Sequence, residues 1–426
     1  MAKARIAPFD FAPITKQVRG PVMDKIDNQR PNRLLWIMCA SYFAFGCILN
    51  VVGVVIPIVI NQYHLSLFAG GLLAFAFYIS FGVFSVPAGV AADRLGAKPV
   101  VVSGILFMGI GCGAIPFATG FKAITVFAFL IGAGVAQLQT AGNPLIGLLD
   151  RPEHYHRNLT LTIGLCGIGA FSGPLFLSAI QANGQPWQHL YGWFALLCAI
   201  LTVLLISAHF PEKVDKEAGK IRLADIAKLL KHPVAITYFL AIFFYVGAEV
   251  GTASWIVKFF QQVHGLGVTR VASASDSLLM RNLPGLPVLT VSLFWGLQGL
   301  GRLTSAPGIH KIGARSMLRL YALGSTCCLL MAVFGQTSLT AIGFAGCGFF
   351  TSVLFTLLFS GAISTFAEYQ GTLSGLLVTA SIGGAVIPPL VGLTADHLGI
   401  RIAMMVPLLC FVYVLAVSVF GKAKYD

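Results

Sequence analysis

The chain has little charge. Of its 426 residues only 10% are Asp, Glu, Lys or Arg, 57% are apolar, and the mean hydropathy is +0.85. An average soluble domain carries about 25% charged and about 45–50% apolar residues. One water-soluble globule cannot hide that much apolar surface, so much of it must face a lipid bilayer. A soluble enzyme, a secreted disulfide scaffold, a nucleic-acid-binding domain and a disordered chain are excluded. Acidic residues are scarcer still: 15 against 28 basic ones, for a net charge of +13. In a membrane protein that excess reads as basic loops that orient the helices, and no nucleic-acid partner is implied.

Clusters that carry chemistry are also missing. The nine Cys fall in apolar stretches, and none has CxxC or Cys/His metal spacing. They read as small packing residues, so no metal and no cofactor is expected. No serine elbow or nucleotide loop is present, so an enzyme is not expected. No cleavable signal peptide is visible, because the basic and polar first 33 residues precede an apolar run long enough to span. Glycine and proline are plentiful, at 47 and 20, which suits bent, closely packed membrane helices.

A span needs about 20 mainly apolar residues. Twelve such runs lie near 34–60, 66–92, 99–118, 121–149, 157–183, 190–209, 233–262, 284–303, 314–334, 337–366, 370–395 and 399–421. The expected organisation is a cytoplasmic arm over 1–33, a six-helix bundle over 34–209, a basic linker over 210–232, a second six-helix bundle over 233–421 and a tail over 422–426. In the linker, Ile221, Leu223, Ile226, Leu229 and Leu230 have the spacing of an amphipathic helix lying on the membrane surface. With the N-terminus inside, only Lys122, Lys258, Arg270, Arg281 and Arg401 among the 28 basic residues fall outside. Both termini and the linker are therefore expected in the cytoplasm.

Between the second and third runs stands Gly89-Val-Ala-Ala-Asp93-Arg94-Leu-Gly96-Ala-Lys98. Gly89 permits close helix approach, Asp93 can accept hydrogen bonds at a helix end and pair with a cation, and Gly96 makes the turn. Two echoes follow. Gly299-Leu-Gly301-Arg302 with Lys311-Ile-Gly313-Ala-Arg315 occupies the equivalent place between the eighth and ninth runs. Gly392-Leu-Thr-Ala-Asp396-His397-Leu-Gly399-Ile-Arg401 matches the first motif at Gly, Ala, Asp, Leu and Gly and falls on the opposite side of the membrane.

The first motif and the six-linker-six layout resemble the major facilitator superfamily of alternating-access transporters. The resemblance implies an all-α integral membrane fold, with twelve transmembrane helices in two six-helix halves around a central cavity, and a monomer. It also implies that Asp93 pairs with a cation near the end of the fourth helix, Arg151 or Arg157, as a latch, with Arg94 holding the loop. By position, Arg302 would pair with Glu368 as a second latch.

Three further segments carry a closer resemblance: Gln139-Thr-Ala-Gly-Asn143-Pro144, Tyr245-Val-Gly-Ala-Glu249-Val, and Gly383-Gly384-Ala-Val-Ile-Pro388 with Pro407-Leu-Leu-Cys410-Phe-Val-Tyr413. Together they are similar to the fucose–galactose–glucose symporter branch, which implies import of a neutral hexose or deoxyhexose across a bacterial inner membrane. The residues fit that chemistry. Gln139 and Asn143 are four apart and face one side of a helix that Pro144 and Gly142 open. Their amides suit sugar hydroxyls, which both donate and accept, or they bond a neighbouring helix. Asn50 could add a contact.

Glu249 falls mid-span, with Tyr245 one turn before it. A charged carboxylate there costs about 2.5–3.5 kcal/mol on insertion scales, so it must face a wet cavity, bind a cation or carry a proton. The proton-coupled fucose pattern has an acidic residue after the Asn of the first helix and a Glu in the fourth. Here Asn50 is followed by Val51, and Gln139 cannot titrate. The choices are a proton on Glu249, Na⁺ held there with amide oxygens, or no coupling.

Tyr78, Tyr245, Trp255 and Trp295 are candidates to stack on a pyranose, with Trp295 favoured because Gly296 and Gly299 would open space beside it. Ser352, Thr356 and Ser360 make a polar stripe on the tenth helix. The competing functions are an exporter of drugs or amphiphiles, against which the amide pair argues, and a sugar sensor, which would carry a soluble signalling domain.

Overall fold

The computed structural model describes residues 33–146, 149, 155–211, 232–267, 285–366 and 370–421. They fold into helices α1 (Arg33–Tyr63), α2 (Leu67–Leu95), α3 (Ala97–Phe117), α4 (Phe121–Ile146), α5 (Tyr155–Ala182) and α6 (Gln188–Ser207). After the linker come α7 (Pro233–His264), α8 (Leu286–Ile312), α9 (Ala314–Phe334), α10 (Thr337–Thr365), α11 (370–398) and α12 (Ile400–Phe420). Among the described residues there is no strand.

Eleven of these helices are long and apolar enough to cross a bilayer. The other is α8, which has crossing length at 27 residues but carries Gln298, Arg302, Thr304, His310 and Lys311 toward its end. Four helices are interrupted: α1 at Val51, α10 at Ser352 and Val353, α11 by a single 3-10 turn over Ala380–Ile382, and α12 at Met404. Interruptions leave backbone groups unpaired within the helix, and in lipid they are tolerated only where protein or a wet cavity covers them.

The helix ends sort onto two sides. On one, Arg33 at the start of α1 donates to Ser207 at the end of α6 (3.4 Å). The linker leaves α6 here, so this is called the linker side. On the far side, Trp187 before α6 donates to Gln62 at the end of α1 (2.9 Å).

The first loop motif and its echoes share one backbone conformation. Gly96, Gly313 and Gly399 all have positive φ, at 90°, 82° and 82°, where a side chain is strained. Two residues after each glycine stands a cation. Lys98 Nζ donates to the carbonyls of Ile206 (2.8 Å) and Ala208 (2.9 Å) at the end of α6. Arg315 donates to the carbonyls of Gly421 (2.7 Å) and Val419 (3.2 Å) at the end of α12. A cation at a helix C-terminus meets the carbonyls left without intrahelical donors. The two halves thus close their last helix in the same way.

Across the halves α2 packs on α11, α5 on α8 and α1 on α7. Small residues set these contacts. A Cβ on Gly71 would stand 2.9 Å from the Pro388 carbonyl oxygen, and one on Gly299 would stand 3.2 Å from Cα of Gly167. These approaches lie between mid-helix and the far ends, so the described contacts close the far side.

Candidate functional site

The mid-level cavity lies where α1, α2, α7 and α8 converge. It is narrow, with room for about a single water, and its walls include Asn50, Phe77, Tyr78, Ser254 and Trp295. α1 and α7 meet at Gly53, which stands against the Ala253 backbone. That crossing brings Asn50, at the last turn before the α1 interruption, beside Ser254 on the cavity wall.

Asn50 is oriented by its own helix. Its Nδ2 donates to the Gly46 carbonyl at 2.9 Å, while Oδ1 is buried with no hydrogen-bond partner. A buried acceptor left unmade is costly, about 1–3 kcal/mol. A hydroxyl entering the cavity would relieve that cost. Tyr78 packs on Gly384, where a Cβ would meet its ring at 2.8 Å. Trp295 lies edge-on to Phe294, with ring centroids 5.0 Å apart.

Just below the cavity, toward the linker side, sits Glu249, 8% exposed. Tyr245 Oη donates to its Oε1 at 2.7 Å, and Gln298 Nε2 donates to the same oxygen. Helical spacing explains the cluster: Tyr245 and Glu249 are one turn apart on α7, and Trp295, Gln298 and Arg302 follow one face of α8. The interruption of α10 supplies the remaining partners. The Thr351 carbonyl lies 3.1 Å from Tyr245 Oη, and the Ser352 carbonyl accepts from Arg302 Nε at 3.2 Å. Arg302 also lies beside the Tyr245 hydroxyl and within electrostatic reach of Glu249. Arg302 is exposed on the linker side of the cluster.

The structure therefore brings Asn50, Tyr245, Glu249 and Trp295 together. It puts Gln139 and Asn143 elsewhere, in the last two turns of α4 and off the cavity wall. Gln139 is half-buried, and Asn143 Oδ1 accepts from Tyr42 Oη on α1 at 2.5 Å. Trp255 is fully buried, with Nε1 donating to the Pro388 carbonyl at 3.0 Å, so its face is not free for a ligand. Gly296 and Gly299 do not open space beside Trp295. Gly296 faces the Phe171 ring and Gly299 faces Gly167, so both seat α8 on α5. On the stripe, Ser352 is buried at the α10 interruption, whereas Thr356 and Ser360 are exposed.

Of the latch residues, Arg94 is exposed at the end of α2. Arg151 and Glu368 lie outside the described residues, as do the side chains of Asp93 and Arg157. The linker helix expected near 221–230 also lies outside them. Gln298 is the partner of Glu249 that residue-by-residue reading left unassigned. Its signal was the three- and four-residue spacing to Trp295 and Arg302.

Residues 38–381 match the sequence model of the Major Facilitator Superfamily. A glucose/galactose transporter of Brucella abortus is 26% identical over 395 residues, covering 89% of this chain and 92% of its own length. The L-fucose-proton symporter of Escherichia coli is 23% identical over 408 residues, covering 88% of this chain and 90% of its own. Among solved structures, the transporter FucP in the outward conformation superposes with a TM-score of 0.61 at 21% identity, over 92% of this chain and 99% of that one.

Proposed function

The chain belongs to the Major Facilitator Superfamily, and we propose that it imports a neutral hexose or deoxyhexose by alternating access, coupled to a proton carried by Glu249. The relatives named for glucose, galactose and fucose support the sugar class. The linker side would be the cytoplasm of a bacterial inner membrane, because the basic residues gather there. The observation that carries the reading is the buried carboxylate of Glu249 held by donors, next in the chain to Val250 on the wall of a cavity that also holds an unpartnered amide oxygen, Asn50 Oδ1.

Sugar hydroxyls would donate to Asn50 Oδ1 and to Glu249, and the apolar face of the ring would lie on Trp295 or Tyr78. A proton suits Glu249 better than Na⁺. The groups turned on its Oε1 are an O–H from Tyr245 and an N–H from Gln298, with the Arg302 cation within reach. A hard cation instead needs several oxygen ligands. Protonation removes the carboxylate charge that these donors hold. Their bonds weaken, and the contact between α7 and α8 can rearrange. A proton and a sugar move the two-state equilibrium only through unequal affinity for its two states.

The test is counterflow in proteoliposomes with glucose, galactose, fucose, mannose and N-acetylglucosamine, then uptake under imposed H⁺ or Na⁺ gradients. One of the sugars should exchange in the wild type and in Glu249→Gln, but only the wild type should accumulate it against a gradient, and only an H⁺ gradient should drive it. Accumulation by the Glu249→Gln variant would remove Glu249 from coupling. Failure of every sugar to exchange, with folded protein, would remove the sugar reading.

A further inference from the structure

The geometry points to a second working acid away from the sugar site: we propose that Asp396 is the latch that holds the far side shut. This rests on the alternating-access reading above. The first four N–H groups of a helix have no intrahelical acceptor. In α2 the first regular helical bond runs from Gly70 to Ser66, and of the three helix N–H groups before it the local chain serves only one. The Gly70 N–H donates to the Ser66 carbonyl at 3.1 Å, and the Ala69 N–H to Ser66 Oγ at 3.2 Å. The other two are served from the opposite half of the molecule. The Leu67 N–H donates to Asp396 Oδ1 at 2.8 Å, and the Phe68 N–H to Asp396 Oδ2 at 2.9 Å. The acceptors lie 329 and 328 residues away, at the end of α11. A carboxylate here also meets the positive end of the α2 dipole.

The surroundings are built for this contact. One turn before Asp396, Gly392 sits against the Leu67 backbone, where a Cβ would stand 2.9 Å from the Phe68 nitrogen. Gly392 thus lets α11 come close enough for Asp396 to reach both amides. Beyond Asp396, Gly399 ends the helix with φ 82°, leaving the carboxylate at its tip. Another polar link across the far side, among the described residues, is longer: Lys258 Nζ to Asn61 Oδ1 at 3.4 Å. Asp396 is exposed, so when α11 withdraws, water can take over both N–H groups and the carboxylate. The latch is therefore reversible. It biases the equilibrium toward the far-closed state, and a substrate arriving from that side must overcome the bias.

Losing a charged cap of this kind shifts an equilibrium roughly 5- to 30-fold. Hydrogen–deuterium exchange of the full chain in lipid nanodiscs reads that shift in the wild type, Asp396→Asn and Asp396→Ala. Exchange should rise together in the far-side segments of α1, α2, α7 and α11. At the same time it should fall at the linker-side ends of α5 and α8, as the population moves to the far-open state. Asp396→Asn keeps the side-chain volume and guards against a folding failure in the alanine variant. A rise confined to the first turn of α2, with no change on the linker side, would mean an ordinary helix cap and would overturn the latch. The readout needs no sugar, so failure of the sugar reading would leave it intact.

Discussion

The Tyr245 hydroxyl lies 2.7 Å from Glu249 Oε1 and 3.1 Å from the Thr351 carbonyl oxygen. One phenolic proton thus has two acceptors, one on α7 and one at the interruption of α10. A charged Glu249 takes that proton, because a bond to an ionised acceptor is about twice as strong as one between neutral groups. A protonated Glu249 competes less well, and the phenol can turn to Thr351. The pair ties the charge of the acid to the contact between two helices.

Tyr245→Phe removes that choice and leaves the ring. With one donor to a buried carboxylate lost, proton-driven accumulation should fall about 10-fold, since a lost partner costs about 1–3 kcal/mol. Counterflow, which moves sugar without net proton movement, should fall less. Proteoliposome uptake with and without an imposed pH gradient measures both. Equal loss in the two assays would make Tyr245 a packing residue only.

Trp295→Ala tests the stacking wall of the cavity. An aromatic face contributes about 0.5–1.5 kcal/mol beyond its buried area, so sugar affinity should weaken roughly 3- to 10-fold. Trp295→Phe should recover part of the loss. Tryptophan fluorescence or calorimetric titration reads the binding constant directly, and unchanged affinity in both variants would place the sugar elsewhere.

Lys98→Ala addresses the closure of the first bundle. Its two bonds to the Ile206 and Ala208 carbonyls cap α6. Removing a cation from a helix C-terminus costs about 0.3–1 kcal/mol. Thermal unfolding in detergent should move down by a few degrees, with transport per folded molecule close to wild type. Lys98→Arg should restore most of the stability. Arg315→Ala should behave the same way in the second bundle, because Arg315 makes the matching bonds at the end of α12.

The spans were legible because twelve long apolar runs have few other uses, and α8 was found although Gln298 and Arg302 dilute it. Glu249 was legible because a mid-span carboxylate always needs a reason. The partners were harder. Gln298 bonds Glu249 from a helix 49 residues away, and only the rotation of α8 against α7 decides whether Gln298 or Gly299 faces the acid. The role of Gly296 and Gly299 was misjudged because a glycine can open a cavity or seat a neighbour, and its own sequence does not distinguish them. Asp396 stood out as an echo of the first loop motif. Its acceptor role did not, because its partners are backbone N–H groups, which almost every residue carries.

Gly392→Ala tests whether α11 must seat on α2 for transport. Any Cβ at position 392 meets the backbone of Leu67 and Phe68. Backbone at a helix start cannot move aside as a side-chain tip can, so α11 must shift outward by several tenths of an ångström or stay away. The Asp396 carboxylate would then no longer reach both amides. The variant should favour the far-open state, bind sugar from the far side and fail to complete the cycle. Its counterflow should drop at least 10-fold, with far-side exchange raised as in the Asp396 variants. Combining Gly392→Ala with Asp396→Asn should add little, since both break the same contact, and residues that share one contact are not additive. If the two losses instead multiply, the glycine and the acid act on separate steps. Gly392 would then matter for packing alone, and Asp396 would act without needing that close approach.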